Sequence, residues 1–157
     1  YVWMDAVHDL TVHPKDLVDD YLIDADLSVF THPYRQCAYQ EAKVCGNSKI
    51  DDTSYIRQQI LYYQEAGFPV DYGLYEMSCF VLRNNEITRK MGMMWWEQIC
   101  RFSSRDQISL PYVLWRMRKE LEISILPGYI HEGDGNKIFP YLNLEKKCLM
   151  YDYEKKY

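Results

Sequence analysis

Runs of β-forming residues alternate along this chain with segments whose apolar residues recur three and four apart. That alternation of a two-residue with a 3.6-residue period restricts the chain to layered α/β architectures. Tyr1-Val2-Trp3-Met4, Leu27 to Thr31 and Leu74 to Arg83 read as strands, dense in aromatic, β-branched and other apolar side chains. Pro14 precedes Leu17, Val18, Tyr21 and Leu22 at helical spacing, and a proline is well placed in a first turn. Arg35 to Val44 is weakly amphipathic and is stopped by Gly46-Asn47. Asp51-Asp52-Thr53-Ser54 offers several N-caps for a helix that shows Ile56, Ile60 and Tyr63 on one face and is closed by Gly67 and Pro69. Asn84-Asn85 turns the third strand into a helix carrying Ile87, Met91, Met94, Trp95 and Ile99. Leu110, Leu114, Met117 and Leu121 continue at helical spacing after Asp106, so Pro111 must sit near the start of that helix or kink it. From about residue 124 a loop-rich tail is expected, with Gly133, Gly135 and Pro140 close together and a charged end from Tyr151 to Tyr157. No internal repeat or low-complexity linker interrupts the pattern, which predicts a single domain over 1–157: a mixed sheet flanked by helices.

Composition narrows the functions open to such a domain. The 157 residues suffice to bury a core without disulfide or zinc support. A formal charge of −5, with Lys and Arg scattered, offers no field for a phosphate backbone and argues against a nucleic-acid partner. The five cysteines, Cys37, Cys45, Cys79, Cys100 and Cys148, are odd in number and form no C-x-x-C pair, which favours reduced thiols in a cytosolic setting. No stretch approaches the roughly 20 apolar residues that span a bilayer. The 15 tyrosines and four tryptophans supply rigid rings able to stack on flat ligands such as sugars, although most are expected in the core. The chain opens on Tyr1, already within a strand, so an upstream nucleotide-binding portion is expected to precede it.

Four positions carry candidate chemistry, each with a plainer reading beside it. Asp5 follows the first strand directly, where open α/β sheets place ligands; its carboxylate suits Mg²⁺ or Mn²⁺ against a diphosphate, or simply a turn. Asp106, with Gln107, stands where one helix ends and the next begins. It reads as an N-cap or as a carboxylate holding sugar hydroxyls. Arg35, behind His32-Pro33-Tyr34, suits a phosphate or a surface carboxylate such as Glu41. His131, in a glycine-rich loop, is a candidate Mn²⁺ ligand or an ordinary surface histidine. Neither a G-x-S-x-G elbow nor a phosphate-binding glycine loop is present.

Taken together, Tyr1-Val2-Trp3-Met4-Asp5-Ala6, Thr31-His32-Pro33-Tyr34-Arg35-Gln36-Cys37, Gly73-Leu74-Tyr75-Glu76 and Ser104-Arg105-Asp106-Gln107 through Trp115 resemble a glycosyltransferase-like family. That family was long described as a domain of unknown function; it has bacterial and viral members and plant members of mucilage and turgor regulation. The resemblance runs from Tyr1 to about Trp115, and the Arg-Asp-Gln block with its aromatic tail is its most specific part. It implies a GT-A-like fold whose catalytic and acceptor-side part is this chain. It further implies a metal-binding Asp5, Asp106 and Gln107 as catalytic residues in the acceptor-side helix, and Glu76 at the acceptor cleft; beside these, His131 stands as the candidate second metal ligand and Arg35 and Arg105 as the candidate donor-phosphate groups. The implied function is sugar transfer from a nucleotide-sugar donor to a glycan, lipid or protein acceptor with Mn²⁺ or Mg²⁺. The setting would be the cytoplasm for a bacterial or viral chain and the Golgi for a plant one. The chain departs from the family's pattern at Val7, where a polar residue is usual, so no complete Asp-x-Asp stands there. Two other classes remain open at this point: a metal-assisted hydrolase, since a plant relative has an assigned ceramidase activity, and a catalytically silent carbohydrate-binding module.

Overall fold

The strand-forming runs become the centre of a mixed sheet. The structure, a computed structural model, describes residues 1–6, 8–128 and 142–144. In chain order the elements are β1 (Val2–Met4), β2 (His8–Leu10), α1 (Pro14–Tyr21), β3 (Leu27–Thr31), α2 (Ala38–Asn47), α3 (Thr53–Glu65), β4 (Tyr75–Leu82), α4 (Glu86–Arg101), α5 (Asp106–Met117), β5 (Ile123–Ile125) and β6 (Leu142–Leu144). The main sheet has the order β1-β4-β3-β5, with β4 antiparallel to both its neighbours and β5 parallel to β3. The mixed α/β expectation is met. Residues 123–125, assigned from sequence partly to a loop-rich tail, instead form β5. Three residues are too few to show a period, and pairing with β3 makes them a strand. The short β2 escapes sequence reading for the same reason; its partner is β6, which falls within the expected tail.

Local signals set the helix ends. The Asp52 side chain caps α3 through the Ser54 amide at 2.8 Å. Asn85 and Thr88 form a reciprocal capping box on α4. Beyond α3, Gly67 donates to the Gln64 carbonyl and Phe68 to the Tyr63 carbonyl, and the Phe68 and Tyr63 rings meet edge to face at 5.8 Å. This is a Schellman closure with its apolar contact, and it requires the left-handed φ of +77° at Gly67. A Cβ added there meets nothing within 4 Å, so Gly67→Ala is expected to cost only the backbone penalty, roughly 1–2 kcal/mol, read as a lower urea midpoint with an unchanged m-value.

Two cores sandwich the sheet. One joins Leu27 and Val29 of β3 to α2, α3, α4 and α5 through residues such as Cys45, Tyr63, Met91 and Tyr112. The other packs Leu17 and Leu22, from α1 and its end, against Phe30, Cys79 and Val81. Tyr63 and Tyr112 stack at 4.0 Å and 6° in the first. Helix α5 is buried along most of its length and contains Pro111 as its sixth residue, which removes one intrahelical amide bond. The described cysteines Cys37, Cys45, Cys79 and Cys100 are free thiols. No described helix is long and apolar enough to cross a membrane.

Candidate functional site

Strand periodicity aims one set of side chains into a single cavity. Trp3 and Asp5 lie two residues apart on and just after β1, and Glu76, Ser78 and Phe80 lie two apart along β4, so each set shares a face. Met77, between Glu76 and Ser78, Trp95 and Ile99, four apart on α4, and Arg105, Asp106 and Gln107 at the start of α5 complete the wall of a cavity of about 490 Å³. The ladder is irregular at this place. Val29 pairs with Phe80 but Phe30 pairs with Glu76, leaving Met77 to Cys79 as an insertion in β4 opposite β3. The Asp5 amide donates to the Ser78 carbonyl at 2.8 Å, which holds the exposed Asp5 beside that insertion.

The cavity has an aromatic side and a polar side. Trp3 stacks on Phe80 at 6.2 Å and 21°, and Phe80 meets Trp95 edge on at 6.3 Å. The Trp95 indole is fixed by donating to Ser109 Oγ at 3.0 Å. Opposite, Arg105 Nη2 donates to Gln107 Oε1 at 3.2 Å, which turns the Gln107 amide nitrogen toward Glu76 Oε2 at 3.5 Å; Ser78 Oγ donates to Glu76 Oε1 at 3.2 Å. Arg105 Nε is buried with no hydrogen-bond partner among the described residues. Burial pushes the Asp106 carboxyl above the usual carboxylate range. The Gln107 amide and Arg105 work against that rise, and the Asp5 charge adds to it.

Asp106 is the first residue of α5, not its N-cap. Arg105 occupies the cap position and supplies no side-chain bond, while Asp106 Oδ1 accepts from the amide of Gln107 at 2.8 Å. The cap reading therefore shifts by one residue. The cause lies in the preceding loop, which is pinned from two sides. Asp51 Oδ2 accepts from the Ser104 amide and hydroxyl at 2.7 and 2.8 Å, and Ser103 Oγ donates to buried Gln59 Oε1 at 2.5 Å. Burial acts to raise the Asp51 carboxyl, but the Ser104 and Asp52 hydrogen bonds outweigh it and hold the group below its ordinary range. Asp51 and Gln59 thus position the start of α5 from 55 and 47 residues away, counting back to Asp106 from each.

Five residues singled out from the sequence, Asp5, Glu76, Arg105, Asp106 and Gln107, meet in this cavity. Arg35 does not. It lines a second cavity of about 560 Å³ with His32, Gln36, Asp71 and Tyr75, and its Nε donates to Glu41 Oε2 at 2.5 Å. The Glu41 pair considered from spacing is formed, although Glu41 is buried and not a surface carboxylate, because α2 turns it toward Cys45, whose Sγ donates to Glu41 Oε1 at 3.2 Å. His131 and Val7 lie outside the described residues. No group of three or more His, Cys, Asp or Glu side chains is gathered to hold a metal among the described residues. The aromatic wall and the residues pinning the α5 loop were missed from sequence. The two-residue period linking Trp3 to Asp5 and Glu76 to Phe80 was the available signal for the wall. Asp51 reads in the sequence only as one of several N-cap candidates for α3, and no local signal marks Gln59.

No curated protein and no solved structure matches the chain. The profile of the TOD1/MUCI70 glycosyltransferase-like domain matches residues 1–129, which span the whole of the cavity described above. A match over most of the chain identifies it: the chain belongs to the TOD1/MUCI70 glycosyltransferase-like domain family.

Proposed function

We propose that the first cavity moves a sugar from a nucleotide-sugar donor to a glycan or other acceptor. The observation that carries this reading is the juxtaposition of the Trp3, Phe80 and Trp95 rings with Asp5, Glu76, Arg105, Asp106 and Gln107 around one space. Sugar rings present apolar C–H faces and a rim of hydroxyls, and rings opposite carboxylates and an amide match both. The Gln107 and Glu76 pair offers a donor and an acceptor to hydroxyl groups. Asp106 is the half-buried carboxylate that would lie against charge developing at the reacting sugar, with Arg105 beside it. In the transfer the acceptor oxygen bonds to the anomeric carbon as the nucleoside diphosphate leaves, and the acceptor's proton passes to a base.

A preformed metal cage is not part of this reading. Mg²⁺ is commonly held by one or two carboxylates together with substrate phosphates. Asp5, exposed and close enough to Asp106 to raise its carboxyl, fits that limited role. An ion bound there would neutralise charge on the leaving diphosphate.

The test uses purified protein, a panel of UDP- and GDP-sugars and oligosaccharide acceptors, with mass spectrometry of the products. An acceptor heavier by one sugar residue is expected, and Asp5→Ala should weaken nucleoside diphosphate binding measured with Mn²⁺ present. Release of free sugar with no acceptor product would replace transfer by hydrolysis. An Asp5→Ala variant that binds nucleotide and Mn²⁺ like the parent would remove Asp5 from the metal role.

A further inference from the structure

The second cavity contains a contact that the protein's own groups leave unresolved. His32 follows β3 and is buried at 8% exposure. Its Nδ1 accepts from the backbone amides of Tyr34 at 3.2 Å and Arg35 at 3.1 Å, the turn that Pro33 initiates. A ring nitrogen that accepts carries no proton, so the neutral ring holds its single proton on Nε2. Burial, and then the Arg35 charge, keep His32 below the ordinary histidine range, with Glu41 opposing them, which maintains that neutral form. Yet Arg35 Nη2 lies 3.3 Å from the same Nε2. A guanidinium only donates. Two donors therefore face each other, and neither the His32 Nε2–H nor the Arg35 Nη groups have a protein acceptor among the described residues. The Arg35 Nε is already committed to Glu41. What satisfies both donors at once is an oxygen-bearing acceptor placed between or beside them.

We infer that the second cavity is an oxyanion site in which His32 Nε2–H and Arg35 Nη2 donate together to the oxygens of a carboxylate or phosphate group. Net charge does not draw the anion in, since Glu41 offsets Arg35 and Asp71 adds a carboxylate to the lining. Recognition rests on the geometry of two donors, one of them charged, which suits a single oxyanion. Thr31, Gln36 and Gln40 also line the space and carry polar side chains suited to whatever bears the anion. This inference stands apart from the reading of the first cavity: it concerns different residues, and its readout is binding without turnover.

The experiment is a titration of ¹⁵N-labelled protein near pH 7 with acetate, with inorganic phosphate and with chloride at matched ionic strength. The His32 ring nitrogens and the Tyr34 and Arg35 amides report the response. Saturable shifts with acetate or phosphate, absent with chloride, are expected, together with ring shifts showing the proton on Nε2. His32→Asn is the informative variant, because its side-chain oxygen can still accept from the Tyr34 and Arg35 amides while the distal donor is gone. It should keep the parental melting temperature to within a few degrees and weaken anion binding about tenfold or more, as expected for one lost hydrogen bond to a charged group. A second arm adds UDP. Displacement of acetate or phosphate assigns the site to a nucleotide's phosphate, and retention assigns it to an anion carried by another ligand. The inference is overturned if neither anion shifts these residues, if the ring proton sits on Nδ1, or if a folded His32→Asn binds as the parent does.

Discussion

Asp106→Asn is expected to fold as well as the parent and to lose turnover by roughly 10² or more, the scale on which removing one group that stabilises transition-state charge acts. Asn keeps an oxygen that accepts from the Gln107 amide, as Asp106 Oδ1 does. The stability sign follows from the raised carboxyl. The native state holds this proton more tightly than the unfolded chain, so stability from this group is greatest in acid and is lost as pH rises from the unfolded toward the folded pKa. At neutral pH the partly desolvated carboxylate is a net cost that Asn removes. The variant should therefore melt no lower than the parent at pH 7, and its advantage should shrink below the ordinary aspartate range. The acid limb of activity in the parent should lie above that range, because burial and Asp5 both delay ionisation. A variant with near-parental turnover would leave Asp106 as a residue of the helix start and nothing more. A variant that melts far below the parent would show that the charge supports the fold.

The largest effect on stability is expected at Tyr63. Its side chain is fully buried, stacked on Tyr112 at 4.0 Å and in edge contact with Phe68 and Phe102. Tyr63→Ala should cost about 3–5 kcal/mol through lost transfer energy and the cavity left behind. For a domain of this size that lowers the melting temperature by on the order of 10 °C. Tyr63→Phe separates ring from hydroxyl. It keeps the stack but leaves the buried Gln59 amide, which donates to the Tyr63 hydroxyl at 2.8 Å, without its acceptor, at about 1–3 kcal/mol. Because Gln59 also accepts from Ser103, the Phe variant should loosen the segment before α5 and reduce activity beyond what its stability explains. Equal melting temperatures for the Phe variant and the parent would show that the Gln59 to Tyr63 hydrogen bond adds nothing to stability. Urea unfolding and activity at a temperature well below both transitions check the two parts separately.

What the amino-acid sequence determined by itself was the part of the structure written in local periods and caps. The helix that starts at Pro14, the α3 helix closed at Gly67 and the turn at Asn84-Asn85 depend on interactions within a few residues, and the runs that become β1, β3 and β4 are marked by local composition although their pairing is long-range. The convergence of Asp5 with Asp106 and Gln107 was reached through family resemblance and not through spacing, since a hundred residues separate the strand end from the helix start. The tertiary structure decided the rest. Short strands such as β5 exist only because a neighbour supplies their hydrogen bonds. The insertion in β4 that brings Ser78 beside Asp5 depends on three strands at once. Arg35 offered a phosphate or a carboxylate in sequence, and the turn of α2 that buries Glu41 settled which protein group it meets. The opposition of Arg35 to His32 likewise appears only when a backbone turn fixes the proton of the ring. Each of these outcomes depends on the relative placement of groups distant in the chain, and a one-dimensional pattern contains periodicity and capping but no such distances.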